Sequence, residues 1–321
     1  MAWSLTSRTR AGWGRKLEPR GVSVIGVVPV KPAPFSYLRP ESLAAAREAL
    51  LRHGPEARIL AGGQSLLPMM ALRVAQPAVL VDIGRIAELR GVTRDERGLR
   101  AGALTCHAEL LSSPVVQASV PLLSLALPHV AHAAIRNRGT LGGSLALADP
   151  AAELPACALA LEAVMHINGS LGSRAVPAAE FFQGLYSTVV GDGEILTAVV
   201  FPVSASGEQV FFDEISRRRG DYAIAGLAAV ARADQTLRLS FLGCGDRPMR
   251  APHAEALAAD ARRSMRVPDR GELKAALATD LDPPSDLQAS ADTRLHLAAV
   301  LVERALRSWS AHGNASSQDT I

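Results

Sequence analysis

Cysteine is scarce in this chain, with three in 321 residues: Cys106, Cys157 and Cys244 lie far apart, and none is in a C-x-x-C pair. That spacing excludes a disulfide scaffold, a structural zinc site and a self-contained iron–sulfur cluster, so redox chemistry would need a bound cofactor. The three read as small buried hydrophobes. Aromatic residues make up only 4% of the sequence, which leaves alanine and leucine to fill the interior. The scattered arginines are not interleaved with aromatics, and the formal charge is only +3, so no nucleic-acid surface is expected. No apolar run is long enough for a transmembrane segment. Arg8, Arg10, Arg15 and Lys16 precede an apolar stretch at 22–30, as in a signal peptide. However, glycine and Pro29 interrupt the stretch, and both a small-x-small cleavage site and twin arginines are missing. The chain therefore reads as cytoplasmic.

What is present suits two globular units, with 48% hydrophobic and 20% charged residues. Residues 1–30 read as a poorly structured extension, 31–203 as one domain, Ser204-Ala205-Ser206-Gly207 as a linker, 208–310 as a second domain and 311–321 as a polar tail. Pro40-Glu41-Ser42 opens a helix that Gly54 closes. Strands are expected at 57–60 and 79–83, and a hairpin around Asp95-Glu96-Arg97-Gly98. Thr105 reads as the N-cap of a helix through Leu111, and 115–134 as helical. Asn168-Gly169 reads as a hairpin turn, with a strand at 194–201 after it. Strands at 210–215, 226–232 and 237–242 precede helices near 251–261, 270–279 and 291–309. Strands and separate helices in both halves give an α+β fold class.

Two glycine-rich stretches carry the chemistry. Ala61-Gly62-Gly63-Gln64-Ser65 follows a strand directly, where glycine lets several backbone N–H groups converge on one anion. A helix after Ser65 would add its N-terminal dipole. Alone, such a pair is more often a tight turn. The second stretch, Arg136-Asn137-Arg138-Gly139-Thr140-Leu141-Gly142-Gly143-Ser144, packs three glycines, two hydroxyls and two arginines into nine residues. One loop can cradle a monophosphate; two suit a diphosphate, hence a dinucleotide. Neither G-x-G-x-x-G opening a helix nor G-x-x-x-x-G-K-[ST] is present.

At these residues the chain resembles the flavin-binding (medium) subunit of molybdenum hydroxylases, of the carbon monoxide dehydrogenase and xanthine dehydrogenase type. The likeness covers about 31–310. It is carried by Lys31-Pro32-Ala33-Pro34-Phe35-x-Tyr37-x-Arg39-Pro40, the first loop with Leu66, Leu80-Val81-Asp82-Ile83 and Gly102-Ala103-Leu104-Thr105. The block from Arg136 to Pro155, Gly193-Glu194-Ile195-Leu196, Gly220-Asp221-Tyr222-Ala223 and the helix from Arg294 to Leu306 complete it.

The resemblance implies an FAD-binding domain of the vanillyl-alcohol-oxidase-like (PCMH) type, followed by a small α+β domain like the C-terminal domain of carbon monoxide dehydrogenase flavoproteins. It implies a role as well: FAD takes electrons from the [2Fe–2S] clusters of a small subunit and hands them to a quinone or NAD. A large molybdenum-binding subunit performs the hydroxylation, in a dimer of heterotrimers. By position, Ala61, Gly62, Gly63, Gln64 and Ser65 with Thr140, Leu141, Gly142, Gly143 and Ser144 would hold the FAD pyrophosphate. Thr105 would lie near the cofactor, Glu153 would contact its nucleotide half, Leu196 would pack near the flavin or adenine, and Tyr222 would approach the isoalloxazine. The chain departs from the family at Ser144 (usually asparagine), Glu153 (usually aspartate) and Glu214 (often lysine). Glutamate at 214 would oppose the reduced anionic flavin that a lysine favours.

Blander readings stand beside these. Ser65 and Thr140 are also what ordinary turns use. Arg136 and Arg138 serve equally as loop charges or phosphate partners. Asp149 and Glu153 read as loop caps more than as an acid–base pair. His129 and His132, three apart on one helix face, read as structural, and no metal site is expected. Arg217-Arg218-Arg219 is either a solvated face or a dock for an acidic partner. A stand-alone FAD oxidase of the same fold and a flavin-free assembly module remain the rival functions. The resemblance begins at Lys31, and Val30 is a residue that a GTG start codon would encode. Native translation omitting 1–29 is therefore expected.

Overall fold

Ser42 ends an extended stretch and caps the helix Leu43–His53, its hydroxyl accepting from the Ala45 N–H at 3.2 Å. Gly54, at φ 51°, stops the helix. One face of this helix buries Ala46 and Leu50 against a three-stranded parallel sheet. Val79–Asp82 is the central strand, with Ser36–Leu38 on one side and Ala57–Leu60 on the other. Val79, Leu80 and Val81 are all buried, as a parallel strand covered on both faces requires. The structure is a computed structural model that describes residues 31–315. The expected extension at 1–30, the translation start and the last residues of the tail lie outside the described residues.

A five-stranded antiparallel sheet follows, in the order Val92–Asp95, Gly98–Gly102, Ile195–Phe201, Val164–Gly169, Gly172–Pro177. Asn168 and Gly169 stay in the ladder, paired with Ser173 and Gly172, so the turn falls at 170–171 and not at the expected Asn168-Gly169. Between the sheets lies a layer of short helices. The expected helix over 115–134 is broken. Pro114–Ser119 and Pro121–Ala126 are separate helices, because proline disfavours helical backbone at Val120 and cannot donate its own hydrogen bond. The next helical turn is Ala133–Arg136. Thr105 is not a cap either. Cys106 is the N-cap of the helix His107–Ser112, its N–H donating to Glu109 at 2.8 Å, while the buried Thr105 hydroxyl donates to the Gly91 carbonyl at 3.1 Å. Cys106 is accordingly only half-buried; Cys157 and Cys244 are buried, and all three are free.

The C-terminal half is a four-stranded antiparallel sheet, Gln209–Ile215, Ala225–Ala231, Leu237–Leu242 and Met249–Arg250, packed by helices Pro252–Ser264, Arg270–Asp280 and Ala291–Ala315. The last helix runs on to Ala315, into the expected tail. Every residue of Ala225–Ala231 is buried because its two faces enter different cores. Leu227 and Ala229 pack with Leu273, Val302 and Trp309, whereas Ala228 and Val230 join Leu154 and Phe181 of the N-terminal half. Ser204 is also tied down, donating its N–H to the Ser119 carbonyl at 2.8 Å. An α+β molecule thus has one continuous apolar seam between its halves.

Arg294 pins this seam's edge. The residue is 4% exposed; its guanidinium donates to the carbonyls of Ile224 and Gly243 and pairs with Asp286 at 2.7 Å. Removing a buried cation leaves two carbonyls without donors. Arg294→Met is expected to lose about 3 kcal/mol of unfolding free energy in urea titration.

Candidate cofactor site

The strand Ala57–Leu60 ends at the first glycine loop, which Gly63 turns with φ +73° before the helix Leu66–Ala71 begins. The expected helix after Ser65 is therefore present. Among the described residues, the N–H groups of Gly62, Gly63, Gln64 and Ser65 donate to nothing, and the Ser65 hydroxyl makes no hydrogen bond. The Gln64 side-chain amide braces the loop by donating to the Gly62 carbonyl at 3.1 Å.

The second loop spends the N–H groups of Leu141, Gly142, Gly143 and Ser144 within the protein. Thr140 caps the helix Leu141–Leu147, its hydroxyl accepting from Gly143 N–H at 3.1 Å, so it is a turn hydroxyl as well as a cleft residue. Leu141 N–H donates to Thr105 (3.0 Å), Gly142 N–H to Ala103 (2.8 Å) and Ser144 N–H to Thr140 (3.0 Å). Its glycines serve close approach instead. A Cβ on Gly142 would lie 2.5 Å from that of Ala103, and one on Gly62 only 2.3 Å from the Arg138 carbonyl oxygen. The two loops therefore touch backbone to backbone, and no side chain fits between them.

Together they wall a cleft of about 680 Å³, a size suited to a small-molecule cofactor. Ala61, Gly62, Gly63, Gln64, Ser65, Thr140, Gly142, Gly143, Ser144, Glu153, Leu196 and Tyr222 all line it. Of the residues expected at the cofactor, Thr105 and Leu141 do not: both are buried behind the wall, where they position the second loop through the bond joining them. Tyr186 and Asp149 also line the cleft, the Tyr186 hydroxyl donating to Asp149 at 3.4 Å. Asp149 accepts from Ala151 N–H at 2.9 Å, the expected loop cap. Glu153 is the first residue of the helix Glu153–Ala160; burial, and then the charge of Glu214, push its carboxyl up to about 8.

Sequence reasoning missed His107. It lines the cleft beneath Gly139, is 5% exposed, and neither ring nitrogen has a hydrogen-bond partner. Burial lowers its pKa to about 4, so it is a neutral imidazole. Nothing in its spacing marks it; only the fold brings it under the second loop.

The flanking basic residues resolve differently. Arg136 donates to the carbonyls of Val130 (2.9 Å) and Ala131 (3.0 Å) and braces the loop from behind. Arg138 offers its backbone carbonyl to the loop contact. Arg217 donates to the Leu287 carbonyl at 3.0 Å. His129 and His132 do not share a helix face: His129 sits in a loop with Nδ1 3.5 Å from Glu214, and His132 is the N-cap of Ala133–Arg136. No group of three or more His, Cys, Asp or Glu among the described residues is placed to hold a metal.

Four unengaged N–H groups, a free hydroxyl and an unpartnered buried imidazole on one cleft fit a large anionic ligand such as a dinucleotide pyrophosphate. Comparisons with known proteins agree. Residues 33–204 match the family described as FAD binding domain in molybdopterin dehydrogenase, and 210–309 match the CO dehydrogenase flavoprotein C-terminal domain. The chain is 37% identical over 282 residues to 6-hydroxypseudooxynicotine dehydrogenase complex subunit alpha of Paenarthrobacter nicotinovorans, covering 86% of this chain and 95% of that one. It is 36% identical over 280 residues to the carbon monoxide dehydrogenase medium chain of Hydrogenophaga pseudoflava, covering 86% and 96%. The structure of carbon monoxide dehydrogenase from Hydrogenophaga pseudoflava that lacks the Mo-pyranopterin moiety of the molybdenum cofactor superimposes with a TM-score of 0.81. There the identity is 37%, over 87% of this chain and 98% of that one.

Two outcomes follow from the geometry. Gly62→Val should force the loops apart and weaken FAD binding at least tenfold, about 1.4 kcal/mol, in fluorescence titration. His107 binds a proton in the unfolded chain below its ordinary 6.5 but in the folded chain only near 4. Stability of the cofactor-free chain is therefore lost as pH falls through that window, and His107→Phe should flatten the loss in a melting-temperature series.

Proposed function

This chain belongs to the FAD-binding medium subunits of molybdenum hydroxylases of the carbon monoxide and xanthine dehydrogenase type, and from that membership we propose that it is the electron relay of a three-component oxidoreductase. Its partners would be a large molybdenum-binding subunit and a small subunit with [2Fe–2S] clusters, assembled as a dimer of heterotrimers. Electrons would enter from those clusters and leave to a quinone or NAD. Residues 31–203 would form the FAD-binding domain and 208–310 the C-terminal domain.

The observation that carries this reading is the cleft between two glycine loops in backbone contact, with bare N–H groups on one of them. Bound FAD supplies a carrier that exchanges electrons with iron–sulfur clusters and with an external acceptor. The chain's own part is to bind, orient and tune it. Gly62, Gly63, Gln64 and Ser65 would donate N–H groups to the pyrophosphate, with Ser65 adding its hydroxyl. Thr140, Leu141, Gly142, Gly143 and Ser144 would hold the opposite wall close. Glu153, Leu196 and Tyr222 would flank the cofactor, and Thr105 would support it from behind. His107 would offer one ring N–H from a neutral imidazole, which avoids a titrating charge in the wall.

Cysteines enough for a four-cysteine cluster are absent from this sequence, so the cluster that reduces FAD would come from a partner. The isolated full chain is therefore expected to bind FAD and to be reduced by a reduced [2Fe–2S] protein in stopped flow, then reoxidised by a quinone or NAD. Steady-state oxidation of organic substrates by the isolated chain would contradict the relay and identify an oxidase.

A further inference from the structure

Beyond the glycine loops, the cleft is lined by two unlike groups of residues. One holds Tyr222 and the hydrogen-bonded pair Tyr186 and Asp149, with both tyrosines exposed. The other is apolar and small: Leu50, Gly54, Ile59, Leu104, Ile195 and Leu196. Leu50, Leu104 and Ile195 belong to one buried core, with Ile59 packed against it. This part of the cleft is therefore a fixed slot between the helix Leu43–His53 and the strand Ile195–Phe201. Gly191, Asp192, Gly193 and Glu194 line the cleft beside it. Asp192 accepts no hydrogen bond among the described residues.

The turn that edges this slot is held from outside. Gly191 and Gly193 flank its tip, Gly193 at φ +71°, and such a stretch is costly in entropy to order. Arg174, on the edge strand Gly172–Pro177, supplies the order. Its Nε donates to one oxygen of Glu194 at 2.9 Å and its Nη2 to the other at 2.6 Å, a two-pronged pair. The same Nη2 donates to the Val189 carbonyl at 2.7 Å. Glu194 in turn accepts from Gly191 N–H at 2.8 Å, and its own N–H donates to the Gly191 carbonyl at 3.1 Å. One guanidinium thus ties Val189, Gly191 and Glu194 into a closed turn. The Glu194 stem lies on Gly169, where a Cβ would come 3.0 Å from its Cγ, and a Cβ on Gly193 would meet the Leu51 side chain at 2.4 Å. The turn is seated against the hairpin on one side and the slot's own helix on the other. Arg174 does not line the cleft, so it acts only through this turn.

We propose that this slot takes the adenosine half of the cofactor, and that Arg174 is the positioning residue that makes the cleft select a dinucleotide over a mononucleotide flavin. The assignment rests on the FAD reading for the identity of the ligand. A dinucleotide whose pyrophosphate sits at the first glycine loop sends its two ring systems to different parts of the cleft. The flavin has to be reached by electron donor and acceptor, which suits the side where Tyr186 and Tyr222 are exposed. Adenosine needs only burial and hydrogen bonds. The apolar slot takes the flat purine, and the unengaged Asp192 carboxylate is an acceptor for a sugar hydroxyl. FMN has no group to fill the slot, so a turn ordered in advance favours FAD and leaves FMN unaffected. Without Arg174 the ligand has to order the turn itself, and that cost falls on the adenosine half.

The test is hydrogen exchange read by mass spectrometry on the full chain, with ADP, FMN and FAD as probes. In the wild type, saturating ADP and saturating FAD should each slow exchange at 190–193, and FMN should leave it unchanged. In cofactor-free Arg174→Leu, exchange at 190–193 should be faster from the start, while 62–65 keeps its rate. The FAD dissociation constant should rise about tenfold in Arg174→Leu, and by a smaller factor in Arg174→Lys, which keeps the charge but not the fork. No protection of 190–193 by ADP, equal protection by FMN, or an unchanged FAD constant in Arg174→Leu would overturn the proposal. If Arg174→Leu does not fold, the wild-type protection pattern and Arg174→Lys still decide. Protection by ADP in a chain that takes up no FAD would sink the FAD reading and keep the slot as an adenosine site. FAD uptake without protection by ADP would sink the slot assignment alone.

Discussion

The contact of Gly62 with the Arg138 carbonyl is the constraint from which the site follows. A backbone-to-backbone approach at this distance admits no Cβ on the glycine. It fixes the first loop against the second, and the second is itself fixed by Gly142 on Ala103 and by the bond from Leu141 to Thr105. Those anchors belong to the end of the strand Gly98–Gly102 and the turn after it, so the cleft is tied to the five-stranded sheet. The parallel sheet delivers one loop, the helical layer delivers the other, and the glycines let them meet.

The two loops look equivalent as sequence and differ as structure. In the second loop every donor described above is spent on capping a seven-residue helix and on holding Ala103 and Thr105. The first loop keeps its N–H groups bare because the strand before it has ended and the helix after it has not begun. Bare N–H donors and close backbone packing are thus divided between them, although both carry a Gly-Gly pair.

Much of this was legible beforehand. Both loops, the α+β class and the strands that frame the site follow from glycine placement and period-two apolar patterns. So do Glu153, Leu196 and Tyr222, through resemblance. What was not legible depends on tertiary proximity. His107 lies in an unremarkable helix, and only the fold sets it beneath Gly139. The bridge from Glu214 to His129 joins residues far apart in the chain, and no spacing rule connects them. Local errors have local causes: Pro121 split a helix that composition alone favoured, and Glu109 drew the cap from Thr105 to Cys106.

The C-terminal sheet shares its core with the N-terminal half, so the two halves pack as one body around the cleft's rear wall. The central claim, however, is the division of labour between the loops. Amide NMR of the isotope-labelled full chain on addition of FAD tests it most directly. The Gly62, Gly63, Gln64 and Ser65 N–H signals should shift strongly, as groups gaining an anionic acceptor do, while Gly142 and Ser144 N–H, already bonded within the protein, should move little. Equal shifts in both loops, or none in the first, would contradict the account.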